Sequence, residues 1–161
     1  MLNENFLTSE PVILPINILE AENGLIRKTY LGEWESCSQM VNQSFKEESV
    51  VYNFKIDSNN KDNFGHVFSG YLSIENPGMY EFRTISDDGS RLFIGSKLVV
   101  DNDGLHGKKI VTGSIQLKKD RYRLVVEYFE RGGQEVLDVS WKGPGFEWQA
   151  IPTFLLFQIV D

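Results

Sequence analysis

A single cysteine in 161 residues takes disulfide chemistry out of consideration. Cys37 has no partner within the chain, so this is not a disulfide scaffold. Long apolar runs are missing too, and nothing approaches the roughly 18 residues that a membrane-spanning helix needs. The opening lacks the basic start and continuous apolar region of a secretory leader. Asn3, Glu4 and Asn5 come early, and Pro11 and Pro15 interrupt Val12-Ile13-Leu14. The expectation is a chain that works in the cytoplasm, or else a module of a larger secreted protein and then extracellular. Positive charge is also short. Lys and Arg number 16 against 23 Asp and Glu, a net charge of −7, which argues against nucleic acid or an anionic membrane as partner. The G-x-S-x-G elbow, H-E-x-x-H and the phosphate-binding G-x-x-x-x-G-K-[ST] are all absent. Cys37 has no fixed histidine partner, so an inert buried thiol is expected rather than a nucleophile. The chain is expected not to be an enzyme.

Aromatic residues are plentiful. Eleven Phe, six Tyr and three Trp favour a β-rich core, and the length fits one domain with a substantial interior. Residues 1–23 are expected to form an N-terminal arm, and residues 24–161 the domain. Strands are expected at Gly24–Tyr30, Val50–Ile56 and Phe64–Glu75, with Asp57–Asn63 as a polar loop and Asn76-Pro77-Gly78 as a turn. Glu33–Ser49 is the one stretch read as helical or irregular. Tyr80, Phe82 and Thr84 share a strand face. Leu92 and Ile94 share another, and Gly95-Ser96 suits a two-residue hairpin turn with glycine first. Ile110–Leu117 continues the sheet. Tyr122, Leu124, Val126 and Tyr128 alternate against Arg121, Arg123 and Glu127, and Leu137, Val139 and Trp141 alternate before Gly143-Pro144-Gly145 closes the strand. Eight or more short strands with regular turns predict an all-β antiparallel sandwich, jelly-roll-like, as a single domain.

The most informative segment is Ser86-Asp87-Asp88-Gly89-Ser90. Two consecutive carboxylates stand at the head of an apolar strand, where a turn needs only one. Neighbours in an extended chain point to opposite faces, so the pair converges on one cation only with an unusual backbone. A cis peptide between non-proline residues is one such backbone, and it costs roughly 3–4 kcal/mol. A hard divalent cation with oxygen ligands would offset that cost. An acidic turn and a strained cation site both stand at this point.

A second acidic cluster, Asp101-Asn102-Asp103-Gly104, does not make an EF-hand. With Asp101 at the first position, His106 falls where glycine is required, and Ile110 to Thr112 offers no carboxylate at the twelfth. The cluster reads as a polar loop whose side chains cap their own turns, or as a neighbour of the Asp pair that orients it through Asp101 or Asn102. His106 reads as a hydrogen-bonded structural group before it reads as a ligand, and His66 carries no functional expectation.

The ordered series Gly24-Leu25…Tyr30, Gly70-Tyr71-Leu72, Pro77-Gly78-Met79-Tyr80-Glu81-Phe82, Ser86-Asp87-Asp88-Gly89-Ser90, Leu98 through Gly107 and Tyr128-Phe129-Glu130-Arg131-Gly132-Gly133 resembles the protective-antigen domain family. These β-sandwich modules occur in the anthrax toxin component, in yeast flocculins and adhesins, in bacterial adhesins and as glycosidase inserts. The resemblance covers roughly residues 24–156, and Trp141-Lys142-Gly143-Pro144-Gly145…Ile151-Pro152 extends it. In sugar-binding members the Asp pair is joined by a cis peptide and holds one Ca²⁺, which then takes vicinal hydroxyls of a terminal sugar. By that resemblance Asp87 and Asp88 are the pair. The loop Arg131-Gly132-Gly133-Gln134-Glu135 is the second wall, with a side-chain oxygen from Gln134 and carbonyls from Gly133 and Glu135. The resemblance also implies a ligand-facing set of Asp87, Asp88, Asp101, Asn102, His106 and Gln134.

Two functions are therefore expected as alternatives. One is a calcium-dependent carbohydrate-binding, lectin-like module for glycans or glycoproteins, its affinity raised by multivalent display. The other is a structural or protein-interaction sandwich within a larger assembly, without sugar binding. The shortness of the 131–135 loop and its lack of an aromatic ring favour the second.

Overall fold

The computed structural model describes residues 21–56 and 62–158. Strands form where apolar residues alternate with polar ones: β1 (Leu25–Leu31), β2 (Glu47–Val51), β3 (Phe64–Ile74), β4 (Gly78–Asp87), β5 (Ser90–Ile94), β6 (Lys97–Asn102), β7 (Lys109–Leu117), β8 (Asp120–Glu130), β9 (Val136–Gly143), β10 (Phe146–Ala150) and β11 (Leu156–Phe157). One sheet has the order β2-β1-β3-β8-β5-β6, with β11 added beside β3, and the other has β10-β9-β4-β7. The pairings are antiparallel throughout. The fold is the expected all-β sandwich.

The period-2 alternation decides which residues meet between the sheets. On β8 the inward series Tyr122, Leu124, Val126 and Tyr128 is fully buried. Tyr122, Leu124 and Val126 join Phe68, Leu72, Leu92 and Ile94 of their own sheet, and the core is completed by Tyr80, Phe82, Ile115, Val139 and Trp141 of the facing one. Each such side chain contributes about 1.5–3 kcal/mol by leaving water. At one seam the sheets come closer than side chains allow. A Cβ on Gly113 of β7 would lie 1.7 Å from the Val99 carbonyl oxygen of β6, so glycine is required there. A smaller cluster sits on the outer face of the large sheet, where α1 (Cys37–Val41) packs its Cys37 and Met40 against Tyr30, Trp34 and Phe129. The Ser36 hydroxyl caps this helix by accepting from the Gln39 N–H at 3.3 Å. Cys37 is buried inside this cluster as a free thiol.

The differences from the sequence-based expectation are local. The second strand runs Glu47–Val51 rather than Val50–Ile56. The chain bends after Val51, and the Asn53 side chain then accepts from the Lys55 N–H at 3.0 Å, an Asx turn that ends the ladder. Phe54 still reaches the core, but from a non-strand backbone, which is why it imitated a strand position. The stretch Glu33–Ser49 divides into a five-residue helix and the start of β2. Beyond Gly143-Pro144-Gly145 the chain turns back as β10 beside β9. The expected arm lies outside the described residues except for 21–23, and of the loop expected at 57–63 only 62 and 63 are described.

Candidate functional site at the acidic end

Register alone gathers the candidate residues. Phe64 pairs with Glu130, Ser86 with Lys109, Asp87 with Val136, and Ser90 with both Asn102 and Tyr128. The ends of seven strands, β3 to β9, and the loops 88–89, 103–108 and 131–135 therefore meet at one end of the sandwich, with Asp62 and Asn63 beside them.

The Asp87–Asp88 peptide is cis. Asp88 is 7% exposed, and its carboxylate ties two loops together. One oxygen accepts from the His106 N–H at 3.2 Å, the other from the Arg131 N–H at 2.9 Å. The Asp87 carbonyl accepts from the Tyr128 hydroxyl at 2.7 Å. Burial, and then the neighbouring Asp88 charge, push the Asp87 carboxyl above its ordinary range, while His106 and the Lys108 N–H pull it back. Gly89 has no room for a side chain. A Cβ there would lie 2.5 Å from the Phe129 ring and 2.9 Å from the Asp103 carboxylate.

A buried polar network supports the pair from beneath. Ser86 and Ser90 hydroxyls meet at 2.7 Å, and Ser90 donates to Thr84 at 2.9 Å. The Asn102 amide donates to Ser86 at 3.1 Å, to Thr84 at 3.3 Å and to the Lys109 carbonyl at 3.0 Å. Asn102 is 1% exposed. It faces the interior and braces the strand ends beneath the pair. Asp101 is exposed and accepts from the Asp103 N–H at 3.3 Å, while Asp103 accepts from the Cys37 N–H at 2.8 Å, linking α1 to the site loop. Burial and the nearby Asp103 push the Cys37 thiol far up, so it does not form a thiolate. Both His106 ring nitrogens lie against carbonyl oxygens, Gly107 at 2.7 Å and Asn102 at 2.8 Å.

More carboxylates crowd the same end. Carboxylate oxygens of Asp62, Glu130 and Glu135 lie within 4.8 Å of one another. Glu130 is fully buried and accepts from the Asn63 N–H at 3.3 Å and from the Gly132 N–H. Burial raises its pKa most; those two N–H groups lower it, and Asp62 and Asp88 raise it again. In the 131–135 loop, Gly132 and Gly133 have φ of 131° and 102°, a conformation that favours glycine. Gln134 is exposed, and the Arg131 side chain turns away to Glu35 at 3.2 Å.

Thr84, Ser86, Tyr128 and Glu130 escaped the sequence-level reading of the site. Their signal was parity. Thr84 and Ser86 continue the inward face of Tyr80 and Phe82, and Glu130 continues that of Tyr128. A polar residue on a core-facing position must find partners. The donor set is all oxygen and densely acidic, with the Asp88 charge raising the proton affinity of both Asp87 and Glu130, which suits a hard divalent cation.

An antiparallel sandwich with an aspartate pair at the junction of its loops defines a class of binding module. The chain belongs to the PA14 domain family, whose model matches residues 21–151. Solved structures with this fold include the PA14 sugar-binding domain from an RTX adhesin. It is 17% identical, with 84% of this chain and 98% of that one covered and a TM-score of 0.72. The epithelial adhesin 6 A domain from Candida glabrata, in complex with Galβ1-3GlcNAc, is 12% identical over 95% and 94% at a TM-score of 0.71. An anti-sigma factor domain-containing protein from Clostridium clariflavum is 20% identical, with 87% of this chain covered and a TM-score of 0.73. This chain spans about half of that protein, 48% of its length. No curated protein matches the chain.

Proposed function

We propose that the chain is a carbohydrate-binding module whose acidic end holds Ca²⁺ through Asp87 and Asp88, with further oxygens from the 131–135 loop at Gly133, Gln134 and Glu135. The observation that carries this is the Asp88 carboxylate, which is fixed by N–H groups of two different loops and faces Asp87 across a crowded acidic end. A bound Ca²⁺ accepts 6–8 oxygens in a flexible shell and leaves part of it for ligand hydroxyls. Membership of the PA14 family and the sugar-bound adhesin domains with the same fold support this assignment. The chemistry is binding, without a catalytic step. The setting it fits is outside the cell, as part of a larger protein.

The test combines a thermal melt in CaCl₂ and in EDTA with a glycan array under both conditions. Calcium is expected to raise the melting temperature by mass action, and glycan signal is expected only with calcium. A glycan signal indifferent to chelator defeats the calcium mechanism.

The alternative, a protein-interaction or structural sandwich, is favoured by one feature. Register places Val50, Ile26, Ser69, Val125, Phe93 and Leu98 in a single row across the large sheet. The two end members, Val50 and Leu98, are 44% and 36% exposed. A partner recovered by pull-down from a protein whose melting is indifferent to calcium would select it.

A further inference from the structure

The aspartate pair is held by a loop, and the loop is held by a helix. Loop 103–108 touches both carboxyls: the His106 N–H donates to Asp88 at 3.2 Å, and the Lys108 N–H donates to Asp87. At the head of that loop stands Asp103. One of its oxygens accepts from the Gly104 N–H at 2.8 Å and, across 66 residues of sequence, from the Cys37 N–H of α1 at 2.8 Å. The same oxygen lies against Gly89, the residue after the pair, where an added Cβ would meet it at 2.9 Å.

A second route joins the same parts. Phe129 packs with Cys37 and Met40 of α1. Its N–H donates to the Gly89 carbonyl at 3.0 Å, and its ring stands 2.5 Å from where Gly89 would carry a Cβ. Gly89 is thus closed in between the Phe129 ring and the Asp103 carboxylate. With five residues, α1 is far short of the roughly 12–15 that let a helix stand alone in water, so these tertiary contacts hold it. The Asp103 charge is felt at Cys37, Arg91 and Glu127, on the outer side of the large sheet. It therefore reaches the pair through the loop.

We propose that Asp103 is a positioning residue for the aspartate pair, and that it couples α1 to the ion site, each being held better when the other is in place. This rests on the calcium site proposed above. Coupling of this kind is reciprocal. Calcium at the pair closes α1 over Cys37, and cutting the Asp103 tie weakens calcium.

The test uses the full 161-residue chain with calcium alone as the probe. By titration calorimetry, Asp103→Ala is expected to bind calcium about 10- to 100-fold more weakly than the wild type. Asp103→Asn keeps the acceptor oxygen and is expected to restore most of that affinity. The second readout is the thiol. Cys37 is fully buried, so a thiol reagent reaches it only through opening, and local opening is insensitive to low urea. Calcium is expected to slow this local labelling about tenfold in the wild type and in Asp103→Asn, and little in Asp103→Ala. Wild-type affinity in Asp103→Ala overturns the positioning role alone. So does an equal loss in both variants, which would make Asp103 a source of charge and not an anchor. Should Asp103→Ala fail to fold, wild-type labelling decides: a local rate indifferent to saturating calcium overturns the coupling. Failure of the wild type to bind calcium overturns the ion site and this inference with it.

Discussion

Adjacent aspartates at the acidic end carry different loads, and single substitutions separate them. Asp88 is structural as well as acidic, because its two oxygens accept backbone N–H groups of His106 and Arg131 at 3.2 and 2.9 Å. Hydrogen bonds to a charged group contribute about 1.5–3 kcal/mol each, so Asp88→Ala forfeits about 3–6 kcal/mol. Relief of its repulsion with Asp87 returns some of this, and a net loss of about 3 kcal/mol is expected without calcium. Asp87→Asn keeps an acceptor oxygen and removes the same repulsion, so it is expected to leave stability in EDTA unchanged or raised. The pH dependence has a definite sign. The folded-state pKa of Asp87 lies above its unfolded value, so wild-type stability is complete below the ordinary Asp range and falls as the pH rises through the folded pKa. Asp87→Asn is expected to flatten that fall. Calcium at 100 times its dissociation constant would add about 2.7 kcal/mol to the wild type and little to either variant. Urea titrations of the three proteins in EDTA and in CaCl₂, across a pH series, give all of these quantities. An Asp88→Ala protein as stable in EDTA as Asp87→Asn would refute the division of roles. A full calcium response in Asp87→Asn would refute the ion site.

Arg91 and Glu127 make a half-buried pair on the outer face, 2.6 Å apart. Arg91→Met leaves the Glu127 charge without its partner and is expected to cost about 3–5 kcal/mol near pH 8. Burial already holds Glu127 above its ordinary pKa against the pull of Arg91, so losing Arg91 raises it further. Stability in that variant should fall as the pH rises through the folded pKa and recover in part near pH 5, measured by urea midpoints. Gly113→Ala brings a Cβ against the Val99 carbonyl, and a melt should report a loss of about 3 kcal/mol, the upper end for overpacking. Asn102→Leu removes the donor to the Lys109 carbonyl and to the Ser86 and Thr84 hydroxyls, which keep only Ser90. A loss of about 2–4 kcal/mol is expected from calorimetry, with secondary structure retained by circular dichroism.

Most of the sheet was legible because burial enforces period 2. Tyr122 to Tyr128 and Leu137 to Trp141 carry that pattern without interruption, and the structure buries Tyr122, Leu124, Val126, Tyr128, Val139 and Trp141. Legibility failed where tertiary contacts outweighed pattern. Phe54 reaches the core from a bend, so its apolar neighbours Val50 and Val51 imitated a longer strand. The Asp87–Asp88 dipeptide stood out as chemistry that a turn does not need. Its supports did not, because Thr84, Ser86 and Asn102 become a network only when β4 of one sheet faces β5 and β6 of the other. Glu130 is the instructive case. It sits on the buried face of β8, and its partners are backbone N–H groups of Asn63 and Gly132, which no pattern in the sequence announces.

The acidic end is also where such a site is physically easiest to build. Within the ladders, backbone N–H groups are taken by neighbouring strands. Where seven strands stop, the N–H groups of His106, Lys108 and Arg131 are released, and carboxylates are what accept them here. Those contacts favour the charged carboxylates, while burial and neighbouring like charges oppose them. The opposite end is built differently. There the chain enters and leaves the sandwich side by side, with Asn23 bridged to Phe157 and the Gly24 N–H on the Leu156 carbonyl. For a site that grips one sugar through a partly filled ion shell, side-by-side display of many copies is the arrangement that raises avidity without new contacts.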